Sequence, residues 1–328
     1  MQPELRHPHL QVDYVEAGDP AVWLAKPDVL AAFGFGADAP QIDNPRWLNV
    51  PLDLHGEARL EIWRAHTPVA HGRDGDVQWA SDDELLFGAI NVAETGDGIL
   101  AAARHAYTRM SAHVAAQGFP HMLRIWNYFD AITVGEGDTE RYREFCVGRA
   151  EGLGNFSTDL LPAATAIGRS DAARVLQVYW LAAKAAGRPV ENPRQVSAYR
   201  YPRQYGPQSP SFARAMLPPT LNQTPLLLSG TAAVVGHASQ HAGELLKQID
   251  ETFNNFDALL TAARQRQPEL PPSFGAGTRL KVYVRDAADL PLVERALAAR
   301  LGNSVPHIIL HAAICRRELA IEIDGVHG

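Results

Sequence analysis

A glutamate between two isoleucines, Glu322 in the stretch Glu318-Leu319-Ala320-Ile321-Glu322-Ile323-Asp324, has the makings of a general acid. Burial among apolar neighbours penalises the charged form of a carboxyl, so such a group keeps its proton closer to neutrality. The competing reading is an ordinary alternating strand, in which every second side chain faces water and does no chemistry. Upstream, residues 187–219 hold seven prolines and five arginines, with Tyr199, Tyr201, Tyr205 and Phe212, and Glu191 as their single acid. Proline at this density prevents regular helix and favours an extended or turning strap. Arginine pairs bidentately with carboxylate and tyrosine offers a flat face and a hydroxyl, so the strap suits a planar anionic ligand. Alternatively its arginines pair with surface acids. His237 and His241 stand at i and i+4, a spacing that chelates metal from one helix face. No glutamate follows the first histidine as in HExxH and no third ligand lies nearby, so packing or capping is the expected role and no metal is expected.

These residues must be carried by the elements around them. Strand-like segments over 85–92 and 122–129 alternate with helical patterns over 99–116 and 139–153, followed by strands over 163–167 and 174–181. The order is β-α-β-α-β-β. The C-terminal half repeats it: strand 226–232, a long helix 238–264, strand 279–284, a helix to about 301 with Asp289 as N-cap, and strands 307–313 and 319–323. The repeat is one of supersecondary structure, not of residues. The fold class is α+β, two such units joined by the Pro/Arg/Tyr-rich strap.

Composition narrows the function. The chain has 328 residues, 46% hydrophobic and 20% charged, enough for a large core and two domains. No apolar run approaches the roughly 18 residues of a membrane span, and the first residues lack a signal-peptide core, so a cytoplasmic location is expected. A net charge of −7 argues against nucleic acid or anionic membrane as partner. The two cysteines, Cys146 and Cys315, form no CxxC motif and read as small buried residues.

Two resemblances add to this. The C-terminal half resembles the RidA/YjgF family, whose fold is like that of bacterial chorismate mutase; Pro210-Ser211-Phe212-Ala213-Arg214-Ala215, Leu228-Ser229-Gly230 and Ile321-Glu322-Ile323 carry the likeness. The whole chain resembles a narrower family, the chorismatase / 3-hydroxybenzoate synthase family, often labelled pteridine-dependent dioxygenase-like. Five motifs in order carry it: 124–129 (RIWNYF), 140–149 (ERYREFCVGR), 198–207 (AYRYPRQYGP), 229–237 (SGTAAVVGH) and 315–322 (CRRELAIE). The domains implied are 1–186, a RidA-like unit with an N-terminal extension, and 187–328, the strap and the unit bearing Glu322.

The family resemblance implies chorismate as small-molecule partner and pyruvate as one product, with no cofactor. Chorismate carries a ring carboxylate and an enolpyruvyl carboxylate, so its recognition calls for two clamps and a proton donor. Arg149 and Arg214, with Tyr142 and Tyr201, are the expected clamps, and Arg203 competes with them. Tyr142 and Arg149 lie seven apart on a predicted helix, hence on one face. Glu322 falls where the family's catalytic glutamate falls, and Cys315 and Gly230 match the hydroxybenzoate-forming members. The resemblance therefore implies 3-hydroxybenzoate, with 4-hydroxybenzoate as a possible second product. Hydrolysis to a dihydroxycyclohexadienoate is the alternative reaction. A RidA-like binding or imine-hydrolysing protein is the alternative class, but it would leave the N-terminal half and the strap without a role.

Overall fold

The computed structural model describes residues 9–154, 157–219 and 224–328. Its first unit runs β1 (Leu85–Ala93), α1 (Gly98–Ala116), β2 (His121–Asp130), α2 (Arg141–Leu153), β3 (Ala163–Arg169) and β4 (Val175–Ala183). Its second runs β5 (Leu226–Thr231), α3 (Leu245–Arg264), β6 (Arg279–Val284), α4 (Leu290–Leu301), β7 (His307–His311) and β8 (Ile321–His327). In both, the fourth strand lies between the first and second, giving orders β1-β4-β2-β3 and β5-β8-β6-β7. The second and third strands run parallel in each, and the helix between them supplies the crossover a parallel pair needs. The repeat read from the sequence thus extends to strand order.

Helix α3 buries Ile249, Phe253, Phe256, Leu260 and Ala263, spaced three or four apart, against the second sheet. Its start differs from the expected one. His241 and Gly243 take positive φ, and Val234–Val235 pairs with Ala238–Ser239 as a short hairpin, so the helix begins at Leu245. His237 and His241 therefore share no helix face, and the chelating geometry is lost. Asp289 makes no side-chain cap; Asp286 accepts from the Ala288 N–H at 2.9 Å one turn earlier. Among the described residues no group of three His, Cys, Asp or Glu could hold a metal, and no helix is long and apolar enough to cross a membrane.

The N-terminal segment holds more order than its sequence suggests. Strands Leu10–Glu16, Arg59–Ala65, Val29–Phe35 and Trp47–Val50 form a third sheet in that spatial order, the last two parallel. Numbered along the chain, this is again first-fourth-second-third. A short helix, Pro20–Leu24, stands in the place of the first helix, and residues 36–46 replace the second with irregular chain. The extension is a reduced third unit.

The three sheets meet in a shared core of Phe33, Trp63, Trp126, Tyr179 and Tyr283. Trp126 stacks on Tyr179 with centroids 4.7 Å apart, and Trp63 lies 5.3 Å from Trp126. Aromatic pairs of this kind contribute about 0.5–1.5 kcal/mol each beyond their buried area. Chain leaving a third strand also crosses to a neighbouring sheet: Asp53–His55 pairs with β7, and Ala313–Ile314 pairs with β3. That second crossing brings Cys315 to the seam between the first and second units.

Candidate active site

Every residue of β8 is buried, so the expected alternation with solvent does not apply. Ile321 and Ile323 pack into the core under α3. Glu322 and Asp324, on the opposite face, point toward the first unit. Glu322 lines a cavity of about 430 Å³ between the two units and is 5% exposed. Burial, reinforced by the negative charge of Asp324, pushes its carboxyl up to about 8, against the pull of Arg124, Cys315 and Arg214. The sulfur of Cys315 lies 3.9 Å from its Oε2. The thiol itself is pushed well up by burial, so it is no thiolate nucleophile at neutral pH. Cys146, buried behind it, is pushed up to about 12 for the same reason.

Gly230 makes room for that carboxyl. A Cβ there would collide with Glu322 Oε1 and crowd Thr165 Oγ1 at 3.3 Å. The pairing of β5 with β8 slips between Leu228 and Thr231, a bulge that carries Gly230 past Glu322. Ser229 then clasps the units together: its hydroxyl accepts from Ala164 N at 2.9 Å and donates to Ala213 O at 2.5 Å.

The expected clamps converge on this cavity with one exception. Helix α2 delivers Tyr142 and Arg149 from one face, as their spacing predicts. Glycines help: a Cβ at Gly152 would meet Arg104 O and Tyr107 Cβ at 2.6 Å, so α2 presses close on α1 while Arg149 faces the seam. Arg149 Nη2 donates to Ser211 O at 2.6 Å, and its guanidinium lies 5.2 Å from the Tyr107 ring. Arg214, from the strap, donates to Val196 O at 2.9 Å and to Tyr201 Oη at 2.7 Å. The Tyr201 hydroxyl accepts that bond and keeps its own proton to donate. Tyr142 stays a neutral donor, because burial raises its hydroxyl well above the ordinary range.

Arg203 is the correction. Its side chain is 65% exposed and forms a bidentate pair with Asp138 at 2.8 and 2.6 Å, away from the cavity. The 3-10 turn Arg203–Tyr205 directs it to solvent while Tyr205 lines the pocket. Arg316 lines the cavity instead, as do Arg143, which lies 3.9 Å from Glu140, and Arg317. Arg316 lies 4.3 Å from the Tyr205 ring and 5.2 Å from the Tyr201 ring, and donates to His237 O at 2.8 Å. Its position inside motif 315–322 was a signal that could have found it. Among the described residues no carboxylate pairs within 4.0 Å with Arg149, Arg214 or Arg316. Three cations without acidic partners beside one protonated carboxyl can take a dianion and give it a proton.

Comparison with known proteins identifies the family. Residues 61–182 match the family described as chorismatase FkbO/Hyg5-like, N-terminal. A chorismatase of Streptomyces rapamycinicus is 36% identical, with 82% of each chain covered. The chain belongs to the chorismatase family. A 3-hydroxybenzoate synthase of Streptomyces hygroscopicus is 33% identical over 82% of each chain. A crystal structure of a chorismatase superposes with a TM-score of 0.87 at 30% identity, covering 99% of this chain and all of the other. The chorismatase fold is therefore the α+β arrangement described above, with two β-α-β-α-β-β units in one chain, and the seam between them is where this member gathers its arginines and its buried glutamate.

Proposed function

We propose that this chain converts chorismate to 3-hydroxybenzoate and pyruvate, with Glu322 as general acid and base. The observation that carries the proposal is a carboxyl raised to about 8 in a cavity where Arg149, Arg214 and Arg316 have, among the described residues, no carboxylate within 4.0 Å. Arg149, Arg214 and Arg316 bind the two carboxylates, and Tyr142 and Tyr201 supply neutral donors that orient the ring. Glu322 gives its proton to the methylene carbon of the enolpyruvyl group, which leaves an oxocarbenium ion. The ether bond to the ring breaks, its electrons going to oxygen, and pyruvate departs in its keto form. The neighbouring hydroxyl oxygen bridges to the vacated ring carbon and returns its proton to Glu322. Opening of that bridge at its original carbon, with loss of the hydrogen from the newly oxygenated carbon and protonation of the oxygen, gives the aromatic product. Hydroxybenzoic acid and pyruvic acid together contain the atoms of chorismic acid, so no water is consumed.

Exclusion of water decides between this course and hydrolysis. Cys315 and Gly230 support the internal course, since the glycine lets the carboxyl lie against the backbone and the thiol occupies the space beside it. The purified protein, given chorismate without added cofactor, should release pyruvate and 3-hydroxybenzoate in equal amounts, and the hydroxybenzoate formed in oxygen-18 water should carry no label. A dihydroxycyclohexadienoate would overturn the product assignment. Absence of pyruvate would overturn the substrate.

A further inference from the structure

Behind Glu322 lies a network that the proposed reaction does not use directly. Asp324 is wholly buried, two residues along the same strand face. Four donors converge on its Oδ2: Arg124 Nη2 at 3.0 Å, Trp126 Nε1 at 3.1 Å, Tyr283 OH at 3.0 Å and Thr165 Oγ1 at 2.7 Å. An ionised carboxylate is acceptor-only, and four donors on one oxygen suit that form. Oδ1 has no hydrogen-bond partner among the described residues. The Thr165 hydroxyl that donates to Asp324 also accepts from Gly230 N at 3.0 Å. A single chain of contacts therefore runs from Arg124 through Asp324 and Thr165 to the backbone against which the Glu322 carboxyl rests.

A structural pair would serve stability more simply with both charges replaced by apolar groups, because taking an ion pair out of water costs about as much as the pair returns. Here the four donors come from both units, Arg124, Trp126 and Thr165 from the first and Tyr283 from the second, and they set one negative charge beside the carboxyl that must keep its proton. The geometry points to Asp324 as a positioning residue that holds Glu322 protonated and holds Gly230 and Thr165 against it. Arg124 sets how strongly it does so. This rests on the acid role proposed for Glu322 and extends it to the residues behind.

The groups around Glu322 come from several elements, and Glu140, Arg143, Arg149, Arg317 and Glu318 line the same cavity. Asp324 lies on the strand of Glu322, Tyr283 opposite it on β6, Arg124 and Thr165 on the first sheet, Tyr142 on α2, Arg214 on the strap, Cys315 and Arg316 on the crossing arm, and Arg285 just beyond β6. Negative charge from Asp324 favours the protonated form, and positive charge from Arg124 opposes it. Removing one or the other must move the proton in opposite directions.

The test is the titration of the Glu322 carboxyl carbon by NMR in the full-length protein, assigned by its loss in Glu322→Gln. Asp324→Asn should lower the midpoint by about one pH unit or more, and Arg124→Gln should raise it. The alkaline limb of the kcat profile with chorismate should move in the same two directions. A network that only holds the fold together would shift both variants alike or neither, and either result overturns the inference. Should neither variant fold, the two wild-type carbons decide: an Asp324 carbon already ionised while Glu322 is still protonated supports the inference, and an Asp324 that holds its proton there, or a Glu322 midpoint in the ordinary carboxylate range, overturns it. If the wild type leaves chorismate untouched, the substrate assignment falls while the carbon titration still decides the role of Asp324.

Discussion

Three buried positions in this chain are structural equivalents, and they meet three different fates. Each lies on the fourth strand of its sheet opposite an aromatic residue on the second: Glu322 opposite Tyr283, Gln177 opposite Tyr128, and Glu61 opposite Phe33. They are 5%, 3% and 2% exposed. Glu61 is neutralised by Lys281, whose Nζ lies 2.9 and 3.2 Å from its two oxygens, and accepts from Trp63 Nε1 at 2.7 Å. Gln177 cannot ionise, and its amide nitrogen donates to Asn49 O at 3.0 Å and Asn91 Oδ1 at 3.1 Å. Glu322 differs from both: among the described residues its carboxyl has no hydrogen-bond partner but the Cys315 thiol, at 3.9 Å. The fold supplies three sheltered positions. What makes one of them an acid is the withholding of partners.

The sharpest way to break the contrast is to give the catalytic seam the chemistry of its neighbour. Glu322→Gln should lower kcat by about 10²–10⁴-fold, the usual contribution of a general acid, while chorismate still binds. Product chromatography and calorimetric binding check the two halves of that statement; retained turnover would remove Glu322 from the mechanism. The same variant tests the energetic cost. Between its ordinary value of 4.5 and about 8, the folded protein binds a proton at Glu322 that the unfolded chain does not. Stability from this group is therefore full below pH 4.5 and is lost as pH rises to about 8. Denaturant titrations should show Glu322→Gln gaining stability relative to wild type over that window, on the order of a few kcal/mol at its upper end. Wild-type kcat should hold across that window and fall as pH passes about 8, where the folded protein loses the acid form that does the work.

Lys281→Met attacks the neutralised equivalent. It leaves Glu61 buried without its cation, and removing one partner of a buried pair costs about 3–5 kcal/mol. Urea denaturation should report that loss, and adding Glu61→Gln should recover most of it. A loss unchanged by the second substitution would mean that packing around the lysine stem, not charge, is what the pair contributes.

Gly230→Ala tests how closely the free carboxyl is placed. The new Cβ must displace Glu322 Oε1, and a shift of about 1 Å at a reacting group can cost ~10²-fold. Turnover should fall by about 10–100-fold with a change in the ratio of products, read by chromatography. Unchanged rate and products would show that Glu322 works from another rotamer.

The alternation of strands and helices was legible in the sequence because α3 and its counterparts place apolar residues at helical spacing on one face. Glu322 stood out through its two isoleucine neighbours, which do lie under α3. Its partners did not stand out, since Arg124, Thr165 and Asp324 meet only when two sheets from distant parts of the chain close on each other. The N-terminal unit was obscure for a different reason. With a five-residue first helix and no second, it keeps the strand order of the others but loses the periodicity by which they are recognised. The strap does bring Arg214 and Tyr201 to the cavity, yet composition could not tell which of its arginines turn inward.

Arg203 makes that last distinction measurable. It shares a motif with Tyr201 and Tyr205, carries the right charge, and stands eleven residues before Arg214. The difference is the partner: Asp138 holds both terminal nitrogens of its guanidinium at the surface, whereas Arg214 spends its bonds on a backbone carbonyl and a tyrosine hydroxyl inside the cavity. A cation already satisfied by an exposed acid has little to offer a ligand, and exposed pairs contribute little to stability. Arg203→Ala should therefore change KM and kcat by less than about twofold, while Arg214→Ala raises KM by about tenfold or more through loss of a charge-assisted clamp. If Arg203→Ala instead raised KM as far as Arg214→Ala, the turn that holds Arg203 outward would have to reverse on binding, and the division between inward and outward arginines would hold only for the empty cavity.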